Sequence, residues 1–283
     1  MVSNPNRESS RNNKFPDPVF IGRRAVLAQL RAEFDNLIRG RGNFVVINGE
    51  AGIGKSAVLD QFLSCPCNQD ALLCRMCFGQ DMEIDPYLPF FRLIDDLDKI
   101  QNIPMDNVEN SASLHHVQDK SSEFSNDDFV MQELHVIHGR QSQVQQQILS
   151  TLIEHAALKP LVIAVENAHL ATQTAWQFFH YLADKCQEHP ILFISTLRQD
   201  GQVSGNEKPP LYVDILQRMN RDGFVRRINL NRFSKSDIHQ LLLELFKKTD
   251  FSGDFSSFLL EVSGGIPGQI MKYLKLLYNI QIL

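Results

Sequence analysis

The residues Gly49-Glu50-Ala51-Gly52-Ile53-Gly54-Lys55-Ser56 carry the spacing G-x-x-x-x-G-K-[ST], and the chemistry that spacing serves is the gripping of a di- or triphosphate. Glycines without a Cβ let a loop turn tightly and aim its main-chain N–H groups inward at phosphate oxygens. The start of the helix that follows, from Lys55 to Ala57, adds its partial positive charge. Lys55 supplies a mobile cation for the terminal phosphates, and the Ser56 hydroxyl is a hard oxygen donor for Mg²⁺. Four specified positions of this kind arise by chance in roughly one random chain of this length in a hundred. The segment from Gly49 to Ala57 is therefore read as a binding loop and not as a glycine-rich turn.

A second constellation lies further along. Leu161-Val162-Ile163-Ala164-Val165 reads as a buried strand that ends in Glu166-Asn167. An acid at such a strand end can hold Mg²⁺, directly or through water, which makes Glu166 a candidate metal ligand beside Ser56 and a candidate catalytic group beside Lys55. The following position usually carries a carboxylate that activates water. Asn167 is a neutral amide with no basic lone pair at physiological pH, so it can only orient a water. Loss of a general base costs on the order of 10² to 10⁴ in rate, and ATP hydrolysis is expected to be slow or impaired. Glu50 is another acid beside the phosphates, read as solvated.

The elements that must position these groups are legible as apolar runs and periodicities. Asn43 to Asn48 reads as a strand feeding the loop, and Lys55 to Leu63 as the helix leaving it. Leu27, Leu30, Phe34, Leu37 and Ile38 recur at helical spacing, with Gly40 and Gly42 ending that helix. Ala71 to Met76 reads as a second strand, Ile191 to Thr196 as a fourth after a helix over Thr172 to Cys186, and Val225 to Leu230 as a fifth. A long helix resumes near Met131. Three helices follow, over Ser234 to Lys248, Phe255 to Ser263 and Pro267 to Ile282. Strand and helix alternating in this rhythm imply right-handed crossovers and a parallel sheet covered on both faces. The expected fold class is α/β: a P-loop NTPase with a parallel five-stranded sheet between helices, followed by a small all-helical lid. The expected division is a disordered N-terminus over 1–18, a nucleotide-binding domain over 19–231 with a flexible polar insertion over 105–128 that contains His115-His116, and the lid over 232–283.

Composition bounds the rest. The chain has 283 residues, 43% of them apolar, and a net charge of -5, enough to bury a good core and without a global basic field for nucleic acid. Arg226-Arg227 and Arg39 to Arg41 are local basic patches, read as solvated surface. No apolar run reaches the length of a membrane helix and Met1 to Lys14 has no signal-peptide core, so a cytoplasmic location is expected. Cys65, Cys67, Cys74, Cys77 and Cys186 are an odd set, which argues against a disulfide framework. They are expected as separate buried thiols in preference to a four-thiolate zinc site.

Taken together, these pieces resemble the signal-transduction ATPases with numerous domains (STAND), a branch of AAA+-like ATPase modules found ahead of bacterial transcription regulators and beside nucleotide cyclases. Phe20-Ile21-Gly22-Arg23 looks like that family's N-terminal motif, which implies that Ile21 lies near the adenine. Asp85-Pro86-Tyr87-Leu88-Pro89-Phe90 is similar to its Pro-Tyr-x-Pro-Phe segment, and Glu166-Asn167-Ala168-His169-Leu170-Ala171 to its Asp-Asp-x-His-Trp-Ala pattern, with two acids and the tryptophan altered. Thr196-Leu197-Arg198 is similar to the family's Thr-x-Arg, which implies that Arg198 senses the terminal phosphate; a guanidinium can fork onto phosphate oxygens. Gly265-Ile266-Pro267 matches the Gly-x-Pro by which the family's lid touches the nucleotide, which places Pro267 in the site. The resemblance implies ATP, ADP and Mg²⁺ as ligands and a regulatory switch working on a protein partner or effector domain, with slow hydrolysis. Two other readings stand beside it: a DNA-associated AAA+ initiator or loader, and a pseudo-ATPase scaffold that keeps the loop for folding only.

Overall fold

The structure, a computed structural model, describes residues 15–79, 85–101, 126–198, 211–247 and 251–280. The sheet is built from β1 (Asn43–Gly49), β2 (Leu72–Cys77), β3 (Leu161–Glu166), β4 (Ile191–Arg198) and β5 (Val225–Asn229), all parallel, in the order β2-β3-β4-β1-β5. The three inner strands are buried on both faces, which is why they read as unbroken apolar runs. Alternation along them divides the core in two. Phe44, Val46, Ile163, Val165 and Phe193 face one side, where α3 (Leu88–Gln101), α4 (Asn126–Leu158), α5 (Gln173–Lys185) and α6 (Leu211–Arg221) cover the sheet. Val45, Ile47, Val162, Ala164, Leu192 and Ile194 face the other, covered by α1 (Arg24–Ile38) and α2 (Lys55–Leu63).

A third core lies beyond β5, where α7 (Lys235–Phe246), α8 (Gly253–Ser263) and α9 (Pro267–Asn279) close around Ile238, Leu242, Leu259, Ile270 and Leu274. This is the helical lid. Ser234 opens α7 with a reciprocal capping box to Asp237, and Pro267 sits in the first turn of α9, where its missing N–H costs nothing. Of the N-terminal segment expected to be disordered, residues 1–14 lie outside the described residues. Phe15 packs edge-on against Phe246 and Tyr278 of the lid, and Ile21 is buried in the lid core.

Several expectations need correction. Helices α3 and α6 were not anticipated, and α4 starts at Asn126, inside the stretch expected as an insertion. The remainder of that stretch, including His115-His116, lies outside the described residues. Cys65 and Cys67 are joined by a disulfide across a turn at Pro66, their Cα atoms 5.2 Å apart. Cys74, Cys77 and Cys186 are free; Cys77 is exposed, while burial pushes the thiols of Cys74 and Cys186 up to about 11 and about 12. Arg226 is no free basic surface, because its guanidinium pairs with the buried carboxylate of Glu33, which also accepts from Asn43 Nδ2 at 2.8 Å.

Gly42 does more than end a helix. A Cβ there would lie 2.1 Å from the carbonyl oxygen of Cys186 and 2.5 Å from those of His189 and Ile191, all backbone atoms of the segment entering β4. Gly42→Ala should cost about 3 kcal/mol or more, since the clash can be relieved only by moving the strand. Gly40→Ala, at φ 84 with open space around it, should cost about 1 kcal/mol. Urea unfolding of the two variants checks this, and equal midpoints would contradict the close approach.

Candidate functional site

The loop from Gly49 to Gly54 stands at the carboxyl end of β1, where open α/β sheets bind their ligands. In register, Gly49 lies opposite Arg198 on β4, so the loop and that arginine occupy one end of the sheet. Gly52 and Gly54 have φ 75 and 99, a left-handed conformation open to glycine and strained for most other residues. The first helical hydrogen bond of α2 runs from Val58 N–H to Gly54 O at 3.0 Å. The amides of Ser56 and Ala57 ahead of it have no acceptor within the helix. They sit at the positive end of the helix dipole, where an anion is favoured.

A cleft of about 720 Å³ opens over this loop. Ala51, Gly52, Ile53, Gly54, Lys55, Ser56 and Ala57 form its floor, with Asn167, His169 and Arg198 on one side. Val19, Phe20, Ile21, Phe233, Leu241 and Met271 form an apolar wall, and Pro267 and Gly268 close it from the lid. A polar, amide-lined floor joined to an apolar wall fits a molecule with a phosphate tail and a flat base. Lys55 Nζ donates to Gly49 O at 2.8 Å and Glu50 O at 2.9 Å, which holds the ammonium at the base of the loop.

Ile21, Arg198, Pro267 and the loop from Ala51 to Ala57 thus line one cleft. Three candidates are placed otherwise. Gly49 does not line the cleft; it is buried beneath it, where a Cβ would meet Ile53 Cγ2 at 2.7 Å. Glu50 is turned to the lid, where Arg232 donates from Nε at 2.9 Å and from Nη2 at 2.7 Å. That guanidinium holds the Glu50 carboxyl below its ordinary range, chiefly through the hydrogen bond. Glu166 accepts from Arg75 Nη1 at 2.8 Å and does not line the cleft. Ser56 therefore fits a metal as a hard oxygen donor, whereas Glu166 is already committed to a fixed cation.

Sequence reasoning missed the groups that tie lid to loop. Gly268 N–H donates to Gly52 O at 2.9 Å, and a Cβ on Gly268 would lie 3.1 Å from the Cα and O of Gly52. Arg23, at φ 58, donates to Asn231 O at 2.6 Å and Ile53 O at 3.2 Å, with its guanidinium 4.9 Å from the Phe233 ring centroid. Its presence in Phe20-Ile21-Gly22-Arg23 was the available signal; Arg232 and Gly268 offered none. Asn167, at φ 54, donates its N–H to Thr196 Oγ1 at 3.2 Å and its amide to Cys77 Sγ at 3.5 Å.

Comparison with known proteins agrees with this geometry. Among curated proteins none matches the chain in sequence. Among solved structures, the Orc1 protein of Aeropyrum pernix, in complex with DNA, superposes with a TM-score of 0.52 at 12% identity, over 93% of this chain and 61% of its own. Cdc6p from Pyrobaculum aerophilum gives 0.50 at 16% identity, over 92% and 61%. A signal-transduction ATPase with numerous domains and a tetratricopeptide repeat sensor, from Pyrococcus horikoshii, gives 0.47 at 16%, over 89% and 30%. This chain spans about three-fifths of the length of the first two, and at such identities the likeness is one of fold. Among the described residues no helix is long and apolar enough to cross a membrane. The sequence family described as AAA ATPase domain matches residues 19–194, from the apolar wall through the phosphate loop and β3 into β4. Over that span, well beyond half of its length, the chain belongs to the AAA ATPase domain family.

Proposed function

We propose that the chain binds ATP and ADP with Mg²⁺ in this cleft and works as the nucleotide-state switch of a signalling ATPase of the numerous-domain kind, with slow or impaired hydrolysis. The observation that carries the proposal is the direct bond from the lid to the loop, Gly268 N–H to Gly52 O, seconded by the Arg232–Glu50 pair. A ligand that occupies the loop's amides acts on the same segment that holds α9, so nucleotide state and lid position are linked. A switch of this kind needs only different affinities for its two states, not rapid turnover. Ile21 and the wall around it take the base, Lys55 and the amides of Gly52 to Ala57 the phosphates, Ser56 the metal, and Arg198 the terminal phosphate. The output would pass to a protein partner or an effector domain.

Titration calorimetry and thermal unfolding test it together. Both nucleotides should bind, and the midpoint should climb with ligand concentration, by about 2.7 kcal/mol of added stability at a hundred times Kd. No heat and no midpoint shift with either nucleotide would leave the scaffold reading in its place.

The fold likeness to Orc1 in complex with DNA favours a second reading, a DNA-associated initiator or loader. A net charge of -5 and the engagement of Arg226 with Glu33 weigh against it. Filter binding to duplex DNA at two salt concentrations separates the two, because phosphate contacts make such affinity fall steeply with salt.

A further inference from the structure

Arg75 stands on β2, in register with Ala164 of β3 and two residues ahead of Cys77, which pairs with Glu166. Its guanidinium reaches in two directions. Nη1 donates to Glu166 Oε1 at 2.8 Å, and Nη2 makes a close contact with Asp60 Oδ1. Asp60 lies on α2 one turn beyond Ser56 and, like Ser56, lines the cleft. The arginine therefore bridges the helix that carries the metal-binding hydroxyl and the strand end that carries the expected metal-binding acid. Its side chain is 45% exposed and that of Glu166 23%, so the bridge is at the sheet edge and not in the core.

A guanidinium is permanently charged and forks onto carboxylates. Mg²⁺ requires close oxygen ligands in near-octahedral geometry and gives up water reluctantly. One carboxylate oxygen cannot serve both at full strength. We infer that Arg75 is a built-in counter-ion that withholds Glu166 from Mg²⁺, so that this chain grips nucleotide with little dependence on the metal. Ser56 and water would then hold whatever metal arrives with the phosphates. This rests on the nucleotide reading above and specifies how its metal is managed. Arg75 does not line the cleft and is a positioning residue.

The test is calorimetric titration of ATP into the full chain in Mg²⁺ and in EDTA, for wild type, Arg75→Gln and Arg75→Lys. The ratio of affinities in the two buffers is expected to be below about 3 in wild type and Arg75→Lys, and above about 10 in Arg75→Gln, where Glu166 is released to the metal. A merely structural arginine would change both affinities together and leave the ratio alone. A wild-type ratio above about 10, or equal ratios in wild type and Arg75→Gln, overturns the inference while the nucleotide reading survives. Absence of ATP binding in both buffers for all three proteins removes the nucleotide reading, and this inference with it. If Arg75→Gln does not fold, the wild-type ratio decides alone.

Discussion

Asn167→Asp should speed a single turnover of bound ATP by about 100-fold or more, against a general-base contribution of 10² to 10⁴. Asn167 lines the same cleft as Lys55, Ser56 and Arg198, at the carboxyl end of β3, and its backbone is fixed by the N–H bond to Thr196 Oγ1. The left-handed φ of 54 there is tolerated by aspartate nearly as well as by asparagine. The substitution exchanges one side-chain nitrogen for an oxygen and forfeits only the weak contact to Cys77 Sγ. What it adds is a carboxylate able to accept a proton from attacking water. Nucleotide affinity should stay within about threefold, because Asn167 is not among the groups assigned to the phosphates. Rapid-quench measurement with the protein in excess over ATP checks both. An unchanged rate at unchanged affinity would show that the missing base is not what limits hydrolysis.

The three inner strands were legible because each buries both faces. Phe44 to Ile47, Leu161 to Val165 and Ile191 to Ile194 have no polar residue to place, and their lengths exclude long helices. The lid helices were legible from caps and periodicity, with Ser234 and Pro267 marking two starts. Helix α3 was hidden by its own opening. Pro86 and Pro89 suggest a turn, but Pro89 lies in the first helical turn, where no N–H is needed, and Phe90, Leu93, Ile94 and Leu97 then fall on the buried face. The Cys65–Cys67 bridge escaped a reading based on cell compartment and an odd cysteine count, since a pair only two residues apart needs no framework.

Local spacing found the parts of the site that are contiguous in the chain and failed for those that are not. The phosphate loop is one segment whose glycines declare their φ angles. Glu50 and Glu166 were assigned from their neighbours in sequence, but their partners stand 182 and 91 residues away. No periodicity brings Arg232 to Glu50 or Arg75 to Glu166. Only the packing of the lid on the loop, and of β2 beside β3, does so. The consequence is chemical: both acids singled out from the sequence are paired with arginine.

Lys55→Met should lower ATP affinity by about 100-fold, the equivalent of one charge-assisted hydrogen bond near the upper end of its range of about 1.5–3 kcal/mol. The effect on ADP should be smaller, because the ammonium serves the β and γ phosphates and ADP lacks the second. Nζ is held by Gly49 O at 2.8 Å and Glu50 O at 2.9 Å. To reach a phosphate it must leave or share those carbonyls, and either way the left-handed turns at Gly52 and Gly54 are main-chain features that do not depend on it. Methionine matches the length of the stem and removes the ammonium together with its bonds to Gly49 O and Glu50 O, while the Gly268 to Gly52 contact involves neither and should persist. Thermal unfolding separates the two contributions. The midpoint without added nucleotide reports the lost carbonyl bonds, whereas a given ATP concentration should add up to about 2.7 kcal/mol less stability to the variant than to wild type. A loss of less than about threefold in ATP affinity would mean that the ammonium never turns to the phosphates, and the loop would then grip its anion through main-chain amides alone.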